Sequence, residues 1–142
     1  GAAPLVAVLG AIGGGVLMAR HQDYLEVLVA QREQATEVIP PGSLVFANRH
    51  FNKLLEVPCA GLPTYRLALY EFQGRPLEGT RVQAAAAKAP FFLVHLRRSP
   101  GEPLPAAWTE LVEEWRGESV HEGPLLLIRR VTPRPQGPGG SR

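Results

Sequence analysis

The chain has 142 residues, with 15 Lys and Arg against 13 Asp and Glu and a formal net charge of +2. That balance is too mild for the basic stripe of a nucleic-acid-binding surface, and no nucleic-acid partner is expected. The single cysteine, Cys59, excludes an internal disulfide and a cysteine-based zinc site.

Residues 1–19 read GAAPLVAVLGAIGGGVLMA and contain no charged side chain. As a helix they span about 28 Å, close to the ~30 Å hydrocarbon core of a bilayer. Gly and Ala dilute the run, which weakens insertion of a lone helix but suits close packing among helices in lipid; Gly10 and Gly14 make a GxxxG pair. Residues 1–20 are therefore expected to form a transmembrane helix within a bundle, with the lipid bilayer as partner. No basic segment precedes the run and no A-x-A site follows it, which argues against a signal peptide. A buried soluble helix or a Gly-rich loop are the other readings. The chain opens on Gly rather than Met, so the run is expected to be the last span of a longer protein.

Residues 21–42 are expected to be an amphipathic connecting helix. Leu25, Leu28, Val29, Ala35 and Ile39 lie near one face, and the helix runs from about Gln22 to Val38, where Pro40, Pro41 and Gly42 stop it. Its polar face is acidic and Gln-rich, unlike that of a membrane-surface helix.

Residues 43–133 suffice for one small α/β domain. Ser43–Ala47 reads as a strand, Phe51–Val57 as a helical turn, and Tyr65–Phe72 as a second strand. Thr80 starts a helix through a capping box with Gln83. Phe91–Leu96 is a continuous apolar run, the pattern of a central strand covered on both faces. Pro105 suits the first turn of a helix whose Trp108, Leu111, Val112 and Trp115 form one stripe, with Gly117 as its C′ residue. Ser119–His121 and Leu125–Val131 read as a closing hairpin. Strands separated by helices indicate parallel neighbours with right-handed crossovers. The expected fold is α/β: a mostly parallel four- or five-stranded sheet flanked by helices, with one antiparallel edge. Residues 134–142, dominated by Pro, Gly and Arg, are expected to be a disordered tail.

Asn48, Arg49 and His50 follow the first strand, while His95, Arg97 and Arg98 lie at the end of the apolar one. Ligands of open α/β sheets bind beyond the carboxyl ends of strands, so parallel neighbours would bring these six residues to one rim. Arginines there suit a phosphate or carboxylate, through bidentate charge-assisted bonds; the competing reading is solvated loop arginines, or contacts to lipid headgroups. The four histidines show no HxxxH or HExxH spacing, so no metal is expected, and His95 reads as a core histidine. Nothing near Cys59 supplies a base or an oxyanion site. No catalytic residue and no cofactor are assigned.

The uncharged run, the amphipathic helix and then Ile39-Pro40-Pro41-Gly42-Ser43-Leu44-Val45-Phe46-Ala47-Asn48-Arg49 resemble the C-terminal part of polytopic bacterial membrane glycosyltransferases of the GT-C type, similar to dolichyl-phosphate-mannose–protein mannosyltransferases. The resemblance covers most of residues 1–132. It implies an extracytoplasmic accessory domain at the cell membrane, non-catalytic by itself, in an enzyme that moves a sugar from a polyprenyl-phosphate donor to an acceptor. That family's catalytic acidic residues lie in early loops, outside this chain. A membrane-anchored interaction or ligand-binding domain and a small soluble α/β enzyme stand beside this reading. An Arg-, Ala-, Gly- and Pro-rich composition is compatible with a GC-rich bacterial genome.

Overall fold

The structure is a computed structural model that describes residues 14–56, 61–70 and 77–133, with side chains from Asp23 onward. The chain divides into two compact units, one up to Gln34 and one from Ala35. In chain order the described elements are α1 (Gly14–Val38), β1 (Leu44–Ala47), α2 (Arg49–Glu56), β2 (Arg66–Leu69), α3 (Glu78–Ala86), β3 (Phe91–Leu96), α4 (Ala106–Trp115), β4 (Glu118–Glu122) and β5 (Leu126–Val131).

α1 runs on through Arg20 and His21, so the boundary drawn between the expected spanning and connecting helices falls inside one helix. Among the described residues no helix is long and apolar enough to cross a membrane, so the transmembrane helix of residues 1–20 is not supported. Only the end of that run falls within α1; residues 1–13 lie outside the described residues. The amphipathic face is also shorter than expected. Tyr24, Leu25 and Val27 are exposed, and Leu28 and Val29 half-buried.

In the second unit, Ala35 and Ile39 are fully buried. The stop after α1 is chemical as well as steric: the Ser43 hydroxyl donates to the Pro40 carbonyl at 2.6 Å. Gly42 adopts φ +80°, a left-handed turn that residues with a Cβ rarely adopt.

The five strands form one sheet in the order β2-β1-β3-β5-β4. β1 pairs in parallel with both β2 and β3, whereas β5 pairs antiparallel with β3 and β4. The sheet is thus mixed rather than mostly parallel in its pairings. The correction concerns the closing hairpin. Its second strand, β5, inserts beside β3, and β4 takes the outer edge, which makes two antiparallel contacts instead of one. β3 is central by position and its six residues are all buried, as a strand covered on both faces must be.

The connections set the layers. From β1 to β2 the chain steps outward, and from β2 to β3 it steps back past β1. Right-handed crossovers therefore place α2 on one face and α3 and α4 on the other. Strand alternation agrees. Phe46, Phe91, Leu93, Leu127 and Val131 share a core with Ala84 of α3 and Ala107, Trp108 and Leu111 of α4. Val45, Ala47, Phe92, Val94, Leu96, Leu126 and Ile128 are buried on the opposite face, the side of Phe51 and Leu54 of α2.

Several helix ends differ from expectation. α2 begins at Arg49, so Arg49 and His50 sit in its first turn; Val57 and Pro58 lie outside the described residues. α3 begins at Glu78, and Thr80 is not its cap: the buried Thr80 hydroxyl donates to the Tyr70 carbonyl at 3.2 Å. Pro105 is the N-cap of α4, its carbonyl accepting from the Trp108 N–H at 3.1 Å. At the other end Arg116, not Gly117, takes the left-handed conformation (φ 52°), and its N–H donates to the Val112 carbonyl at 3.0 Å. β2 is shorter than the expected strand, ending at Leu69, and Glu71 and Phe72 lie outside the described residues. Cys59 and the tail of residues 134–142 also lie outside them.

Gly117 serves close approach instead. A Cβ there would lie 3.0 Å from the Arg130 carbonyl oxygen and 3.0 Å from Val131 Cγ2. Gly117→Ala is expected to destabilise the domain by about 1–2 kcal/mol in urea unfolding, because backbone must shift to admit the methyl group. Gly101→Ala, with nothing within 4 Å of its Cβ, should change stability by less than about 0.5 kcal/mol.

Candidate functional site

The parallel strands β2, β1 and β3 end together. Val45 stands opposite Phe92 and Ala47 opposite Val94 across the β1–β3 pair, and the Tyr70 N–H just beyond β2 donates to the Ala47 carbonyl at 3.1 Å. The connection from β1 leads to one side of the sheet and that into β3 comes from the other, which makes the gap between them a topological switch point. Of the six residues expected at this rim, Asn48 follows β1, Arg49 and His50 open α2, His95 lies in β3, and Arg97 and Arg98 follow it.

Asn48 closes the gap itself. Its Nδ2 donates to the Leu96 carbonyl at 2.8 Å, and its Oδ1 accepts from the Leu96 N–H at 3.0 Å. The side-chain amide thus extends the β1–β3 ladder by one rung. It supports the rim and has little capacity left for a ligand. Arg49 and Arg98 are exposed. Arg97 is half-buried; its N–H donates to the Leu125 carbonyl at 2.8 Å, and its Nη1 makes a long 3.4 Å bond to the Pro124 carbonyl.

The two histidines differ from the arginines. His95 is only 3% exposed and lies against the core. Its Nδ1 shares a 2.9 Å hydrogen bond with the Tyr70 hydroxyl, and its ring meets Trp108 edge-on at 5.8 Å. Burial pushes its pKa down to about 4, helped by Arg97 and His50 and opposed by Glu102. The ring is neutral at pH 7, so Nε2 is either a lone donor or a lone acceptor. His50 is half-buried, and its pKa is also lowered, first by burial and then by Arg98 and Lys53, against Glu102. The two imidazoles and the charges of Arg97, Arg98, Lys53 and Glu102 therefore share one electrostatic neighbourhood.

Three polar atoms of this neighbourhood are buried without a hydrogen-bond partner, His50 Nε2, His95 Nε2 and Arg97 Nε, and Asn52 Oδ1 of α2 is a fourth such atom. The fifth such atom among the described residues is Arg129 Nε, at the β5–β4 side, where Arg129 Nη2 donates to the Gly117 carbonyl.

Tyr70, Lys53 and Glu102 belong to this neighbourhood but were not among the residues expected there. Tyr70 falls inside the predicted strand Tyr65–Phe72, whereas β2 ends at Leu69 and leaves it at the strand's end. Glu102 lies in a Pro- and Gly-rich loop, folded by a turn from Ser99 whose carbonyl accepts from the Glu102 N–H at 3.1 Å. Among the described residues no group of three or more His, Cys, Asp or Glu is placed to hold a metal ion. The site offers imidazoles and guanidinium donors, which suit binding of a polar or anionic group, with the single Glu102 carboxylate beside them. Comparison of the chain with protein-family models, curated proteins and solved structures finds no match in any of the three.

Two outcomes test this geometry. Asn48→Asp sets a carboxylate oxygen against the Leu96 carbonyl and is expected to cost on the order of 2 kcal/mol in chemical denaturation. The His95 proton gives the second. Unfolded, the ring protonates near pH 6.5; folded, only near 4. The unfolded chain thus takes up the proton first, and the contribution of neutral His95 is full above pH 6.5 and lost as pH falls toward 4. Stability should drop by about 2 kcal/mol more between pH 7.5 and 5 in the native protein than in His95→Asn.

Proposed function

We propose that this domain binds an anionic group, phosphate in preference to carboxylate, at the ends of β1 and β3, and that it does so as a non-catalytic accessory domain. The observation that carries the proposal is the presence about the ends of β1 and β3 of arginine donors and of buried nitrogens without protein partners, His50 Nε2, His95 Nε2 and Arg97 Nε. A buried polar atom left unpaired costs about 1–3 kcal/mol, so a bound group that engages these atoms recovers stability on binding. Arg49 and Arg98 are exposed at the mouth, and Lys53 adds a third cation one helical turn beyond Arg49. Guanidinium pairs hold phosphate through parallel charge-assisted bonds. Both histidines are held neutral at pH 7 and can act as donors that demand no counter-charge.

The wider setting of the proposal is the resemblance to membrane glycosyltransferases. In that setting the anion is the phosphate of a polyprenyl-phosphate sugar or of an acceptor, the domain faces the extracytoplasmic side of a bacterial membrane, and glycosyl transfer belongs to residues outside this chain. The segment that carries the resemblance supports it by its form: a helix ending at Val38, a Pro-Pro-Gly turn tied by Ser43, and a strand from Leu44.

Titration of the chain with inorganic phosphate and pyrophosphate, followed by calorimetry and by histidine NMR shifts, tests the anion site. Millimolar, saturable binding is expected, tighter for pyrophosphate. Arg49→Ala and Arg98→Ala should each weaken it by roughly three- to tenfold without loss of stability. Absence of a saturable response in the native protein ends the proposal.

A further inference from the structure

His50 occupies the second position of α2, in the first turn, where the unbonded N–H groups of a helix add a partial positive charge. The ring is half-buried, and its Nε2 is buried without a hydrogen-bond partner. α2 packs against β3 and β2. The charged groups that act on the ring are Lys53, three residues further along α2, and Arg98 and Glu102 from the loop after β3; His95 of β3 is coupled to it. Two fixed cations and a second imidazole thus stand against one carboxylate.

That surplus of positive charge has two effects. It attracts an anion, and it opposes a proton on His50. Burial removes the water that would solvate an imidazolium, and Arg98 and Lys53 repel it, so the free ring has a lowered pKa despite Glu102. A bound phosphate reverses the sign of these surroundings. It also supplies the acceptor that Nε2 lacks, and an imidazolium carries a proton on both ring nitrogens.

We propose that anion binding at the rim is coupled to protonation of His50, which then donates from Nε2 to the bound phosphate. The proton comes from solvent and goes to the ring, and no bond of the phosphate is broken. The inference rests on the anion-binding reading above and extends it by naming the residue that makes binding depend on pH. Reciprocity sets the direction: if phosphate raises the His50 pKa, protonated His50 holds phosphate more tightly by the same factor, about tenfold for each pH unit. For an anion of constant charge the site therefore strengthens as pH falls from 7 toward 5.5. His95 does not take this role. It is 3% exposed, its Nδ1 is engaged by the Tyr70 hydroxyl, and a pKa of about 4 keeps it neutral over that range.

The other end of the core provides the contrast. A cleft of about 310 Å³ opens there beside Phe91, between α3 and α4, with Trp115 in its lining. Its Arg81 is already held by Glu114, whose Oε1 and Oε2 accept from Nε at 2.9 and 3.0 Å, and no histidine lines it. No coupled anion binding is expected at that end.

The test is a histidine NMR titration of the full chain from pH 8 to 5 at constant ionic strength, in chloride and again in saturating inorganic phosphate. His50→Gln identifies the His50 signal by its loss. Phosphate itself titrates in this range, so the ring rather than the affinity is the readout, and the chloride series accounts for screening of Arg98 and Lys53. The His50 midpoint is expected to rise by about one pH unit in phosphate, while the Trp115 indole N–H signal stays unmoved. Glu102→Gln should lower the midpoint in chloride and preserve the rise in phosphate. Saturable phosphate binding with the same His50 midpoint in both salts overturns this inference and leaves the anion site standing. Absence of saturable phosphate binding overturns both.

Discussion

The second unit depends on how α4 lies across one face of the sheet. Trp108 and Trp115 are seven residues apart, two helical turns, so they reach opposite ends of the same core. Trp108 completes an aromatic cluster with Tyr70 at 6.0 Å and His95 at 5.8 Å. Trp115 completes another with Phe46 at 5.5 Å and Phe91 at 5.1 Å. The first cluster fixes the ring from which the rim gains its buried Nε2, and the second forms the wall of the cleft. Leu111, fully buried between them, holds the helix down. One amphipathic helix thus carries both aromatic clusters, one at each end of the core.

The side chains gathered at the two ends of the parallel strands follow from the connectivity. In a parallel βα repeat, the carboxyl ends of strands face the amino ends of the helices that follow. The carboxyl ends of helices gather where the next strands begin. β1 and β3 end among Arg49, Lys53, Arg97 and Arg98, and α3 and α4 end beside Glu114. The exposed Arg81–Glu110–Glu114 network adds little to stability, since such pairs are well solvated. Its effect is local. It ties α3 to α4 across the lip of the cleft that Arg81 and Glu114 line.

The lower layers of this architecture were legible in the sequence because they depend on local pattern. Phe91–Leu96 reads as a strand covered on both sides, and it is the central one. The stripe from Trp108 to Trp115 reads as a helix with one apolar face, and that face is the core contact. Placing Asn48 and His95 at one rim required that β1 and β3 be parallel neighbours; the order of strands and helices indicated parallel strands, but the adjacency of these two comes from the structure. Helix ends were less legible, because propensity marks a region and tertiary contacts choose the residue. Thr80 has the capping pattern but spends its hydroxyl on Tyr70, ten residues earlier. Gly117 has the composition of a left-handed C-cap, yet the close packing of β5 claims it, and Arg116 takes the strained conformation instead.

What remained illegible is long-range and polar. The Asn48 amide reads as a loop residue or a ligand in sequence, whereas in the fold it is a rung between strands 48 residues apart. That changes what the rim can do. If Asn48 were free, the gap between β1 and β3 would be open and a ligand could reach deep into the switch point. With the amide closing the gap, a ligand is confined to the outer surface, where Arg49 and Arg98 are exposed, and only the partnerless atoms of His50, His95 and Arg97 connect it with the interior. Tyr70 imposes a similar restriction on His95. By engaging Nδ1 it leaves a single nitrogen for anything else, and burial keeps that imidazole neutral. On the proposed reading the rim binds an anion through its arginines, and His95, whose pKa burial pushes down to about 4, is poorly suited to act as a general acid near neutral pH.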